Sequence, residues 1–212
     1  MNVQMKKFVA LVGTNTAKST NRKLLQYMKK RYADDAEIEV VELKGLPIFK
    51  KSEEVYIPQQ ARDIADKIDA SDGVIIGTPE YDHSIPALLS SALAWLSYGI
   101  HPLMDKPVMI VGTSYGTLGA SRAQAQLRQI LDSPELKATV LPSSEFLLGH
   151  SLQAFDDNGD LKSATESQKL DGLFDDFLEF VDLTEKLGHS KQIHEQEAST
   201  FSWDNGTTGD DK

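Results

Sequence analysis

Phe8-Val9-Ala10-Leu11-Val12 runs directly into Gly13-Thr14-Asn15-Thr16-Ala17-Lys18-Ser19-Thr20-Asn21, after which Leu24, Leu25, Met28 and Tyr32 recur at helical spacing. An apolar run, a polar loop and an amphipathic helix in that order describe a buried strand delivering the chain to a helix N-terminus. Unpaired backbone N–H groups and the positive end of the helix dipole favour an anion there. Lys18, Arg22 and Lys23 surround that point, and no Asp or Glu follows until Asp34, the reverse of what a helix dipole ordinarily favours. A bound dianion removes the conflict, so the loop reads as a phosphate cradle. The competing reading makes Ser19 or Thr20 a simple N-cap and leaves the basic side chains to solvent.

Outward from this loop, strand and helix patterns alternate. Glu37 to Leu43 reads as the second strand, and a connection from Lys44 to Ile57 turns at Gly45 and Pro47. Pro58 opens a helix whose Ala61, Ile64, Ala65 and Ile68 share one face. Gly73 to Gly77 is the third strand. Thr78 to Ser84 forms a polar loop, with Ser84 as N-cap and Pro86 in the first turn of a helix carrying Leu88, Leu89, Ala92, Leu93 and Leu96. Pro107 to Val111 is the fourth strand, Gly112 to Gly119 a Gly-rich loop, and Ala123, Leu127, Ile130 and Leu131 the next helical face. A fifth strand is expected between Ala138 and Leu148, and Leu170, Phe174, Phe177 and Val181 mark a last helix after the turn Asp156 to Asp160. This alternation predicts an α/β fold, a doubly wound parallel five-stranded sheet with helices on both faces. Residues 1–188 read as one domain, and 189–212 as a polar, mobile tail in which Phe201 and Trp203 are unusual anchors.

The chain of 212 residues contains no Cys, which excludes disulfides and Cys-based zinc sites and accords with a cytoplasmic location. The run after Lys6 and Lys7 is too short for a signal-peptide core, and no stretch is long enough to span a membrane. A net charge of −10 argues against a nucleic-acid surface. His83, His101 and His150 share no ligand-like spacing, so no metal site is expected.

In an open parallel sheet, ligands bind beyond the carboxyl ends of the strands. The loops Gly13 to Asn21, Thr78 to Ser84 and Gly112 to Gly119 all leave such ends, and with strand order 2-1-3-4-5 they converge on one crevice. Several motifs compete there. The first loop approximates Gly-x-x-x-x-Gly-Lys-Ser/Thr but lacks the second Gly and is one residue short. Gly112-Thr113-Ser114-Tyr115-Gly116 matches the Gly-x-Ser-x-Gly elbow of hydrolases; Ser114 would then need Asp156 or Asp160 and His189 or His194 as partners.

Thr78-Pro79-Glu80-Tyr81-Asp82-His83-Ser84-Ile85-Pro86, followed by Leu88, Ala92 and Trp95, resembles the Thr-Pro-Glu-Tyr-Asn-Gly-Ser-Ile-Pro signature of NADPH-dependent FMN reductases, the flavodoxin-like family of quinone, azo-dye and chromate reductases. Gly13, Ser19 and Asn21 are similar to that family's phosphate loop, and Gly116, Gly119, Leu127 and Arg128 to its third loop and helix. Thr16, Asp82 and His83 stand where the family usually has Arg, Asn and Gly. The resemblance implies a flavodoxin-like sheet and FMN held by Gly13, Thr14, Thr16, Lys18, Ser19, Thr20, Asn21, Pro79, Glu80, Tyr81, Asp82, His83, Ser114, Tyr115, Gly116 and Thr117. It further implies hydride transfer from NADPH or NADH through FMN to a flat small-molecule acceptor such as a quinone, an azo compound or free flavin. No protein acid or base is assigned, because the flavin carries the chemistry. An Asp82 charge beside the ring would lower the flavin potential. A flavodoxin-like electron carrier and a Ser114 hydrolase remain the alternatives. Ala87, Ala94, Trp95 and Tyr98 lie off the core stripe of the third helix, which leads us to expect a homodimer through that face.

Overall fold

The computed structural model describes residues 5–52, 55–142, 145–187, 193, 194 and 196. The expected boundary at Gly188 and the anchors Phe201 and Trp203 lie outside them.

The chain runs β1 (Lys6–Val12), α1 (Thr20–Arg31), β2 (Ala36–Glu42), α2 (Gln59–Asp69), β3 (Gly73–Thr78), α3 (Ala87–Trp95), β4 (Pro107–Thr113), α4 (Ser121–Leu131), β5 (Thr139–Val140), β6 (Phe146–Leu148) and α5 (Ala164–Glu185). The sheet is parallel with order β2-β1-β3-β4-β5, as the alternation predicts. Its far position differs from expectation. The single fifth strand is two short ones, β5 against Pro107 and Val108, and β6 against Val111 to Thr113. Pro142 lies between them, and a proline supplies no N–H to a ladder.

Side-chain alternation along the central strands sorts the core into two layers. Val9, Leu11, Val74, Ile76, Val108 and Ile110 pack with α2, α3 and α4, whereas Phe8, Ala10, Val12, Ile75, Met109 and Val111 pack with α1 and α5. Both faces of these strands are therefore buried, which is why they read as unbroken apolar runs. Among the described residues, no helix is long and apolar enough to cross a membrane.

Of the four residues expected to form a homodimer face on α3, Trp95 and Tyr98 are covered by the chain itself, whereas Ala87 is exposed and Ala94 half-buried. Trp95 and Tyr98 are buried; Trp95 Nε1 donates to Pro47 O at 2.8 Å, Tyr98 OH donates to Ser52 O at 3.1 Å, and Phe49 meets both rings edge-on. The segment that covers them is the 44–57 connection, through Pro47, Phe49 and Ser52.

Two local features position the loops. Ser84 does not cap α3, whose N-cap is Pro86. Instead, Tyr81 and Ser84 exchange backbone hydrogen bonds of 3.0 and 2.9 Å around a tight turn in which Asp82 and His83 have φ of 50° and 63°. Asn-Gly, present at these two places in the resembled signature, is what a turn with two positive φ values prefers. The second feature joins α1 to α5. Arg31 Nε and Nη2 donate to Asp171 at 2.5 and 2.6 Å, Tyr32 OH donates to the same carboxylate at 3.1 Å, and the Tyr32 ring stacks on Phe174.

Positive φ costs an ordinary L-residue roughly 1–2 kcal/mol, so His83→Gly is expected to raise the melting temperature by about 2–4 °C. His83→Val should lower it, and thermal scans of both variants check the sign. Arg31 beside Asp171 holds that carboxyl below the usual carboxylate range. Its stabilisation is present above the unfolded pKa of about 4 and is lost as pH falls through the lower folded value. With both side chains about a third exposed, we expect Asp171→Asn to cost about 1 kcal/mol at neutral pH, after solvent screening. Urea titrations should show that difference shrinking as the medium is acidified below about pH 4.

Candidate functional site

The loops following β1, β3 and β4 enclose a cavity of about 650 Å³ at the carboxyl edge of the sheet. Of the residues expected to hold a cofactor, Thr14, Thr16, Lys18, Ser19, Thr20, Asn21, Pro79, Glu80, Tyr81, Ser114, Tyr115, Gly116 and Thr117 line it. Thr113 and Leu118 line it as well and were not singled out from sequence, although both belong to the strand end and Gly-rich loop that pointed there.

Gly13, Asp82 and His83 are not among the lining residues. Gly13 continues the β1–β3 pairing by donating its N–H to Gly77 O at 2.8 Å, and a Cβ there would stand 2.7 Å from that oxygen. Asp82 and His83 form the apex of the strained turn.

Several lining side chains are already engaged by the fold. Asn21 Nδ2 donates to Thr113 O at 3.1 Å, while Thr113 N donates to Asn21 Oδ1 at 2.9 Å. Thr20 Oγ1 lies 2.7 Å from Thr113 Oγ1 and 2.9 Å from Ser151 Oγ, in a buried hydroxyl cluster. Ser19 is the N-cap of α1 and accepts from Arg22 N at 3.1 Å. These three residues therefore fasten the first loop to the end of β4 and start the helix.

Electrostatics single out one cation. Arg22 grips the Glu42 carboxylate through Nε and Nη2 and donates Nη1 to Thr16 O at 2.7 Å, and the Glu42 bond raises the guanidinium pKa above its ordinary value. Glu42 sits at the end of β2, so the absence of acids within the helix itself concealed this pairing. Lys18 lines the cavity and has no ion pair among the described residues. The α1 first turn contains no acid, and the backbone N–H groups of Thr20 and Asn21 have no partner among the described residues. Across the cavity, Tyr81 OH lies 3.1 Å from both Thr14 Oγ1 and Thr16 Oγ1. A cavity of about 730 Å³ at the opposite strand ends has the contrary character, being lined by Asp34, Asp35, Asp72, Asp182 and Glu185 with Lys6 bound between the last two. Of these two cavities, the one at the carboxyl edge favours an anion.

The hydrolase alternative does not assemble among the described residues. Ser114 Oγ donates to Gly116 O, His194 Nδ1 lies 2.8 Å from Asp105, Asp160 binds Lys30, and Asp156 caps its own turn. His189 lies outside the described residues.

Comparison with known proteins bears on the fold and the activity. The family model for NADPH-dependent FMN reductase matches residues 6–153. The chain is 48% identical to the NADH:(hydroxy)cinnamate reductase subunit CrdA of Vibrio ruber over 92% of its own length and 96% of the relative's. It is 46% identical to the NADH-dependent flavin reductase subunit 2 of Lactobacillus johnsonii, over 85% of this chain and all of that one. Among solved structures, the flavoenzyme NAD(P)H:(acceptor) oxidoreductase FerB of Paracoccus denitrificans superposes with a TM-score of 0.73 at 27% identity, over 86% of this chain and 98% of that one. The protein thus belongs to the NADPH-dependent FMN reductase family and is an FMN-dependent NAD(P)H oxidoreductase.

Proposed function

We propose that the cavity at the carboxyl edge is the FMN site, with the phosphate on the first loop and the ring held by the second and third. The observation carrying this reading is the acid-free start of α1, where two amides and Lys18, without hydrogen-bond or ion-pair partners among the described residues, border a cavity of about 650 Å³. That size is within the range of small-molecule sites. Thr14, Thr16, Lys18 and Ser19 would hold the phosphate, each charge-assisted hydrogen bond contributing about 1.5–3 kcal/mol before ordering costs. The Thr14 and Thr16 hydroxyls now share Tyr81 OH, so they are oriented toward one point before any ligand arrives. Pro79, Tyr81 and Ser114 to Thr117 supply apolar and backbone surface for a flat ring. When bound, FMN supplies two-electron chemistry between a pyridine nucleotide and an acceptor. The chain's part is to bind, orient and exclude water, and none of its side chains is asked to move a proton.

The acceptor in this reading is a flat small molecule such as a quinone, an azo compound, a free flavin or a hydroxycinnamate, and the location is cytoplasmic. For assembly, two relatives are named as subunits, which supports action beside a second polypeptide. A homodimer through α3 would rest on Ala87 and Ala94, since Trp95 and Tyr98 are held by the 44–57 connection.

Free FMN at about a hundred times its dissociation constant should stabilise apoprotein by roughly 2.7 kcal/mol, or about 5–10 °C in melting temperature. Lys18→Glu should weaken FMN binding about tenfold or more and leave riboflavin binding nearly unchanged; equal losses for both ligands would place the phosphate elsewhere. Anaerobic NADH should bleach the bound flavin's visible absorbance, and persistence of the oxidised spectrum would reduce the site to a flavin-binding module.

A further inference from the structure

Helix α4 begins without a cap of its own. Its N-cap is Ala120, in the left-handed region at φ 68°, and no side chain at that position reaches the helix amides. The amides are satisfied from another element. Glu80 Oε2 accepts from Arg122 N at 2.9 Å and from Ala123 N at 3.3 Å, while Glu80 Oε1 accepts from Arg122 Nη1 at 3.2 Å. A second tie lies further along the same helix, where Gln126 Oε1 accepts from Ser84 Oγ and Ile85 N, both at 2.8 Å. The loop after β3 and the helix after β4 are therefore clamped at two points and position each other.

The clamp also arranges charge. The Glu80 side chain is only 11% exposed and lines the cavity, and it faces two positive partners, the N-terminal dipole of α4 and the Arg122 guanidinium. Asp82, the acid that the sequence singled out as a flavin-tuning charge, is not among the lining residues. We propose that Glu80 is a positioning residue with a second, electrostatic role. It caps α4 from outside the helix, and it cancels the positive potential that the helix start and Arg122 would otherwise present to the flavin, which keeps the flavin's reduction potential low. This inference rests on the FMN reading above.

Glu80→Gln preserves shape and one acceptor oxygen but removes the charge, Glu80→Ala removes both, and Arg122→Gln removes the opposing cation. Melting of the three apoproteins and reductive titration of the three FMN-loaded proteins against redox dyes test the two roles separately. The expected result is a melting temperature ordered wild type, then Glu80→Gln, then Glu80→Ala. The expected potentials rise in both Glu80 variants and fall in Arg122→Gln. A tenfold change in the affinity ratio for reduced over oxidised flavin would appear as about 30 mV for a two-electron couple. A Glu80→Gln potential at or below wild type overturns the electrostatic role, and an unchanged Glu80→Ala melt overturns the capping role. Wild-type protein that takes up no FMN overturns the underlying site reading together with the electrostatic role, while the apoprotein melts still decide the cap.

Discussion

The two-way hydrogen bond between the Asn21 side chain and the Thr113 backbone is the contact on which the arrangement of the cavity depends. Asn21 sits in the first turn of α1, after β1, and Thr113 ends β4; β3 lies between those strands in the sheet. One amide thus spans the floor of the crevice and fixes the first loop against the third. It is 2% exposed, so an unpaired donor and acceptor there would each cost about 1–3 kcal/mol. The adjacent hydroxyl cluster of Thr20, Thr113 and Ser151 adds the segment after β6 to the same knot. Everything above this floor inherits its geometry, including the orientation of the α1 start and the placement of Lys18.

The sequence was most informative where one periodicity ruled. Phe8 to Val12, Gly73 to Gly77 and Pro107 to Val111 are buried on both faces and announce themselves as continuous apolar runs, and α1 and α2 carry one clear stripe each. It was less informative where a residue's partner is distant in the chain. Arg22 and Glu42, Trp95 and Pro47, and Glu80 and Arg122 lie 20, 48 and 42 residues apart, and no local pattern pairs them. The division of the fifth strand was equally hidden, because Ala138 to Leu148 has the composition of one interrupted strand and only the ladder with β4 shows two.

The same distinction applies to the cavity. Residue types revealed which loops meet, and the resemblance of Thr78 to Pro86 to a reductase signature supplied the chemistry. What could not be read was the division of labour within each loop. Asn21 and Thr20 look like ligand donors by type yet are committed to the floor, and Ser19 serves as a helix cap. Charge is allocated with similar economy. Glu42 answers Arg22, Glu80 answers Arg122, and Lys18 has no ion pair among the described residues.

The broken strand at the far side of the sheet bears on a hazard that every open sheet faces. An edge strand exposes a row of free amides and carbonyls that can template pairing with another chain. Here that row is interrupted into ladders of two and three residues, separated by Pro142. The opposite edge, β2, is seven residues long, but it alternates Glu37 and Glu39 on its exposed side. One border of the sheet is cut too short to present a continuous pairing edge, and the other carries charged side chains, Glu37 beside Lys7 and Glu39 bound to Lys67, which disfavour edge-to-edge growth into a fibre.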